Sequence, residues 1–349
     1  MVVDGVYLIN TALFTECNLN CEFCYQRGHK EKFNASDMEF MLSLPDRIES
    51  IMKDERIQFR DGKRRFQIGF SGGELFSKRV LYPLYKYICQ EIAKRAKNNG
   101  CELSKFFFMS NGVFFNIDEV EKLLEEANGI MEISYDFYGR FRDGNEKISI
   151  KNLKTLYRDG FSSSITTTIT KPSIKAFIDD YNGLFPDDIF REIDINSSYY
   201  LPSVHLNNKK FMPTDDDIYD FLKTCYINGY TNLDILKSLM STDGENYKTY
   251  CQEGVVLYKG ISKESYLTDS CGDMALMSSL SGGTEELFGN IGSIREAKRK
   301  AYDKRGCIYC EFMNTCPMPC WTMMAYKSYM SSECPFKRMK EFIKEKPYV

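Results

Sequence analysis

Three cysteines near the start of the chain, Cys17, Cys21 and Cys24, lie in the run Thr15-Glu-Cys-Asn-Leu-Asn-Cys-Glu-Phe-Cys-Tyr25. Three thiolates this close together can hold three irons of a cubane 4Fe–4S cluster and leave the fourth iron free to bind a small molecule. A cluster that only carries electrons normally takes four Cys ligands. A triplet without a nearby fourth therefore points to chemistry at the open iron. The competing reading is zinc, for which Cys-x-x-Cys is also a common spacing.

Other residues narrow the choice. Both histidines, His29 and His205, are isolated, which disfavours mixed Cys/His zinc sites and His-based acid–base chemistry. Thirteen Cys in a chain without a secretory signal are poor candidates for a disulfide framework and better read as metal ligands in a reducing cytoplasm. A net charge of −3 gives no basic field for nucleic acid. No apolar run approaches the roughly 18 residues of a membrane span.

The elements that must position the triplet alternate in type through the first 200 residues. Strand patterns cover Val6–Leu13, Arg65–Phe70, Phe106–Ser110, Met131–Tyr135, Ser162–Thr170 and Glu192–Tyr199. Helical patterns cover Val80–Asn98, Ile117–Glu126 and Ser149–Arg158. Such alternation predicts a parallel α/β architecture. Six units are too few for an eight-stranded barrel, so the expected fold is a partial (β/α)6 TIM-like barrel over residues 1–205. A bridging region, 206–245, and a small Cys-rich domain, 246–349, follow. In the bridge, the acidic run Asp215–Asp217 reads as the first turn of a helix, where negative charge is favourable.

Sites in α/β barrels gather at the C-terminal ends of strands, and the polar motifs fall there. Ser71-Gly72-Gly73-Glu74 follows the second strand; its glycines allow close backbone approach and its carboxylate can accept from an ammonium. Met109-Ser110-Asn111-Gly112 ends the third strand, and Ser134-Tyr135-Asp136 ends the fourth.

The Cys spacing and these segments together resemble the radical S-adenosylmethionine (radical SAM) superfamily. The resemblance implies that the open iron chelates the amino and carboxylate groups of SAM, and that one electron cleaves it to a 5′-deoxyadenosyl radical. It further implies that Gly72, Gly73 and Glu74 hold the SAM amino group. Ser110, Asn111, Ser134 and Asp136 would contact its ribose and carboxylate, with Arg142 or Arg140 as a carboxylate partner.

The last hundred residues carry Cys251, Cys271, Cys307, Cys310, Cys316, Cys320 and Cys334, preceded in part by Leu287-Phe288-Gly289-Asn290-Ile291. This array is similar to the SPASM extension of radical SAM proteins, which implies two auxiliary 4Fe–4S clusters and three clusters in all. By position, Cys307, Cys310, Cys316 and Cys334 would hold one cluster, and Cys251, Cys271 and Cys320 the other. Val255–Thr268 reads as a hairpin presenting Cys251 and Cys271. Tyr266 stands where the family places a Gly, and no eighth Cys lies between Cys251 and Cys271. The second cluster then keeps an open iron or recruits Cys225. Cys225 is alternatively a hydrogen-atom donor, or a buried structural thiol like Cys89 and Cys101. Asp273 is a candidate base, or a capping residue.

The expected function is that of a radical SAM enzyme modifying a peptide or protein substrate. It would be fed by a reductant such as flavodoxin or ferredoxin. Only sixteen residues precede Cys17, so a precursor-modifying role calls for a separate leader-recognition protein or for direct strand-edge binding. The alternatives are an anaerobic sulfatase-maturing enzyme, a small-molecule radical SAM dehydrogenase, and a non-enzymatic iron–sulfur or zinc redox protein.

Overall fold

The computed structural model describes residues 2–3, 5–24, 30–136, 145–179, 187–199, 209–241, 254–259, 303, 306–312, 316 and 333–347. Ten strands are described: β1 Val2–Val3, β2 Tyr7–Ala12, β3 Gln58–Phe59, β4 Arg65–Ser71, β5 Glu102–Leu103, β6 Phe106–Ser110, β7 Gly129–Ser134, β8 Ser164–Ile169, β9 Asp194–Tyr199 and β10 Gly254–Tyr258. The principal sheet runs β10-β2-β4-β6-β7-β8-β9 with every pair parallel, and β5 adds to β4. Helices α1 Ala35–Met52, α2 Tyr82–Asn98, α3 Ile117–Glu126, α4 Asn145–Arg158 and α5 Lys171–Asp179 follow successive strands. This is the expected partial barrel, since parallel neighbours need crossover helices.

Six of the strands match the sequence reading to within a few residues. The seventh, β10, does not come from a βα repeat. Gly254–Tyr258 pairs in parallel with Leu8–Ala12, so β2 lies inside the sheet. Glycine is required at the start of β10, because a Cβ on Gly254 would stand 2.3 Å from the Leu8 carbonyl oxygen. The rest of the segment read as a hairpin, from residue 260 onward, lies outside the described residues.

Alternation along the strands sends Phe66, Ile68, Phe70, Phe106 and Phe108 outward into one core beneath the helices. Phe70 and Phe108 meet at 5.1 Å, and Phe76 packs on Phe108 at 6.0 Å and on Phe114 at 5.6 Å. Helix α1, which carries Pro45, is absent from the sequence reading. Its capping box is nonetheless present: Asn34 accepts from Asp37 N and Asp37 accepts from Asn34 N. The segment read as a bridge contains α6 Asp215–Ile227, and its acidic run is the first turn, capped by Thr214. A further helix, α7 Asp234–Met240, and the C-terminal helix α8 Pro335–Glu345 complete the described elements used below.

Candidate functional site

The strands β2, β4, β6 and β7 end at Ala12, Ser71, Ser110 and Ser134, along one rim of the sheet. The loop that leaves β2 carries the three cysteines. It is clamped to the loop leaving β4 by three main-chain hydrogen bonds, Leu13 N to Ser71 O (2.9 Å), Gly73 N to Phe14 O (2.7 Å) and Glu74 N to Glu16 O (2.9 Å). Gly72 and Gly73 permit this approach. Gly72 has φ +142°, and a Cβ on Gly73 would lie 1.7 Å from the Glu16 carbonyl oxygen. Any larger residue would push away the backbone next to Cys17.

Glu74 is fully buried and ties three strand ends together. Its Oε1 accepts from Ser110 Oγ (2.8 Å) and Phe76 N (3.0 Å), and its Oε2 accepts from Asn111 N (2.7 Å). The turn after it is fixed from α2, where Tyr85 donates to Leu75 O and Tyr82 to Phe76 O. Asn111 in turn reaches the Cys loop: its Nδ2 donates to Asn18 Oδ1 (2.8 Å) and lies 3.8 Å from Cys17 Sγ. The Leu19 amide donates to the same sulfur at 3.4 Å. Burial pushes the Cys17 thiol above its ordinary range, opposed by the Leu19 hydrogen bond. A bound cation reverses that balance by favouring the thiolate.

The loop also has an apolar cushion. Leu19, Cys21 and Phe23 pack with Val113, Phe211 and Met212, and Phe23 meets Phe211 edge-on at 6.3 Å. Glu16 accepts from Phe33 N (2.6 Å) and pairs with Lys78 (3.0 Å), contacts that hold its pKa below the usual carboxylate value. Sequence reasoning missed Asn18, Ser149 and Asn152. From α4, Ser149 donates to Asn111 O and Asn152 to Gly112 O and Phe114 O, which pins the β6 loop from behind. The weak signal was polar residues on the inward face of an amphipathic helix.

Ser134 is half-buried at the end of β7. Asp136 is buried, and its Oδ1 accepts from Thr168 N (2.6 Å). Cys225 lies in the α6 core, where burial pushes its thiol well up. Of the C-terminal residues, Cys307, Cys310, Cys316 and Cys334 are described and none is in a disulfide. Cys334 caps α8, the loop after Cys310 reaches α8 through Glu311 and Lys337 (3.7 Å), and Cys316 and Cys334 both pack against the main core. Arg142, Cys251, Cys271, Asp273 and Cys320 lie outside the described residues.

Among the described residues, no three Cys, His, Asp or Glu side chains converge on one point as a single tetrahedral ion demands. A cubane binds each thiolate at a different iron and needs no such convergence. Three cysteines on one loop, none in a disulfide, with two N–H groups directed at Cys17 and an apolar cushion behind, fit it.

Comparison with known proteins agrees with this geometry. No protein-family model and no curated protein matches the sequence. Solved structures do match by shape. The enzyme anSMEcpe with bound AdoMet superposes over 99% of this chain and 97% of its own, at 12% identity and TM-score 0.60. The two chains share one fold, a partial barrel of parallel strands. A second anSMEcpe structure, with AdoMet and a Kp18Cys peptide, gives TM-score 0.59 at 14% identity over 97% of this chain and 99% of that one. Streptococcus suis SuiB bound to S-adenosylmethionine gives TM-score 0.50 at 12% identity, covering 94% of this chain and 75% of SuiB. No described helix is long and apolar enough to cross a membrane.

Proposed function

We propose that this protein is a radical SAM enzyme that modifies a peptide or protein segment. One observation carries the reading: three cysteines, none in a disulfide, sit on the loop after β2, braced by the Gly72–Gly73 approach and by Asn111, in a fold shared with AdoMet-bound enzymes. Cys17, Cys21 and Cys24 would hold a 4Fe–4S cluster. When bound, that cluster supplies the electron and the open coordination position for AdoMet cleavage.

The chain's own residues do the positioning. Glu74 fixes the rim of β4 against β6 through Ser110 and the Asn111 amide. With its oxygens engaged inside the protein, its part is to hold the turn in place, and contact with a ligand falls to the turn's backbone. Asn111 and Leu19 direct N–H groups at Cys17 and lower its electron density. Leu19, Phe23, Val113, Phe211 and Met212 exclude water around the loop. The C-terminal cysteines would hold auxiliary clusters that accept the second electron.

A peptide substrate is favoured because a structure of the same shape holds AdoMet together with a peptide. A sulfatase segment and a ribosomally made precursor are both such substrates, and SuiB is a maturase of the second kind. The test is anaerobic reconstitution with iron and sulfide, reduction by dithionite, and chromatography for 5′-deoxyadenosine. Its formation with AdoMet supports the reading, and its absence in cluster-loaded protein overturns it.

A further inference from the structure

The side chain of Asn18 reaches from the cysteine loop to the loop after β6 and bonds to it twice. Its Nδ2 donates to the Val113 carbonyl (2.9 Å), and its Oδ1 accepts from Asn111 Nδ2 (2.8 Å). Asn111 Oδ1 in turn accepts from the Val113 amide (2.8 Å). Two asparagines 93 residues apart thus grip both main-chain polar groups of one valine, and each holds the other. Val113 is itself buried in the apolar cushion with Leu19, Cys21 and Phe23, against which Cys17 and Cys24 pack.

This ring of three bonds decides how the Asn111 amide points. A side-chain amide offers two N–H donors on one atom and an acceptor on the other. The Val113 N–H takes the oxygen, so the nitrogen faces the cysteine loop. Asn18 Oδ1 accepts one N–H, and the nitrogen lies 3.8 Å from Cys17 Sγ. Asn18 Oδ1 is also 3.8 Å from that sulfur. A carbonyl oxygen and a thiolate this close repel, and the donor that Asn111 supplies to both relieves it. The loop after β6 is held against drift from the other side, where Ser149 and Asn152 of α4 bond to its carbonyls.

We propose that Asn18 is a positioning residue for AdoMet cleavage: by holding the Asn111 amide toward the Cys17 sulfur, it locks the cysteine loop in register with the rim at β6. The proposal rests on the reading that Cys17, Cys21 and Cys24 hold the cluster. Asn18 acts through Asn111. Hydrogen bonds to the ligand sulfurs stabilise the more negative, reduced state of an iron–sulfur cluster and raise its potential. Losing the clamp therefore makes the N-terminal cluster harder to reduce, even where all of its iron is retained.

The experiment uses the full chain reconstituted anaerobically, as wild type, Asn18→Ala and Asn18→Asp, with iron analysis and redox titration followed by electron paramagnetic resonance. The signal that changes on adding AdoMet reports the N-terminal cluster. In Asn18→Ala the Asn111 amide loses its anchor, and the reduced-to-oxidised ratio at fixed potential should fall about threefold or more, which is about 28 mV at 59 mV per tenfold. Asn18→Asp keeps an acceptor for Asn111 but loses the donor to Val113 and sets a charge beside Cys17, so the fall should be about tenfold or more. An asparagine with a merely structural part leaves the potential of the loaded cluster unmoved, and that result in Asn18→Ala overturns the proposal. A shift in Asn18→Asp alone does so too, since it reports charge and no clamp. Where Asn18→Ala loses its N-terminal iron, hydrogen exchange of the metal-free chain decides. Exchange of the Val113 amide about tenfold faster than in wild type supports the clamp, and unchanged exchange overturns it. A wild-type signal that AdoMet does not alter overturns the reading beneath instead, which tells the two failures apart.

Discussion

Replacing Gly73 by alanine is the sharpest probe of how the Cys loop is held. The added Cβ would lie 1.7 Å from the Glu16 carbonyl oxygen and 2.4 Å from its carbon, whereas real Cβ atoms essentially never come within 3.0 Å. The obstacle is backbone, so it cannot rotate aside, and the strand next to Cys17 must retreat by about 1.3 Å. Two hydrogen bonds, Gly73 N to Phe14 O and Glu74 N to Glu16 O, are stretched in the process, at a cost of about 1 kcal/mol each. A misplacement near 1 Å costs roughly 10²-fold in rate for a reaction that depends on aligned groups. Gly73→Ala should therefore lose about 2 kcal/mol of stability in denaturant titration and about a hundredfold in 5′-deoxyadenosine formation. Gly160→Ala is the matched control. Its φ of +77° imposes a comparable backbone strain of about 1–2 kcal/mol, yet no atom lies within 4 Å of the new methyl group. If both variants cleave AdoMet at the wild-type rate, the loop is not positioned by the glycine approach and the argument fails.

Other outcomes follow from the same geometry. Cys21→Ala should abolish AdoMet cleavage, while Cys316→Ala should retain cleavage and lose turnover of a co-expressed peptide by mass spectrometry; equal loss in both variants would refute separate roles. Glu74→Gln places an amide donor against the Asn111 or Phe76 N–H groups and should destabilise the fold by about 2–3 kcal/mol, read as a lowered midpoint in urea. Glu132 is buried and its carboxyl pKa is raised, chiefly by desolvation, with Asn196, Thr166 and Ser164 opposing and Asp234 adding repulsion. A raised carboxylate binds its proton more tightly when folded. Its ionisation therefore costs stability as pH climbs above the ordinary carboxylate range, and the cost levels off above the folded pKa. Glu132→Gln should gain stability over wild type across that rise and lose the advantage in acid; a pH-independent difference would contradict the linkage.

The barrel and its rim were legible because each depends on short-range pattern. Phe106–Ser110 alternates, Gly72-Gly73 marks a tight backbone approach, and the triplet announces itself by spacing. What escaped depends on contacts far apart in the chain. Helix α1 was not read at all, although Asn34 and Asp37 form a capping box and Phe40, Met41, Leu44 and Ile48 recur at helical spacing around Pro45. The strand β10 carries only five residues and joins β2 by register with Leu8–Ala12, which no local signal encodes. Asn18 and Asn152 drew no reading because their acceptors, Val113 O and Gly112 O, lie 95 and 40 residues away.

The placement of β10 beside β2 sets an order of events in synthesis. The strand that feeds the Cys17–Cys24 loop is made early, yet its outer neighbour starts at Gly254. At about 5–20 residues per second on the ribosome, β2 waits roughly 10–50 s with one flank bare. During that interval the bare edge of β2 is a template for any other strand, and the sheet closes on that side only once Gly254–Tyr258 has been made.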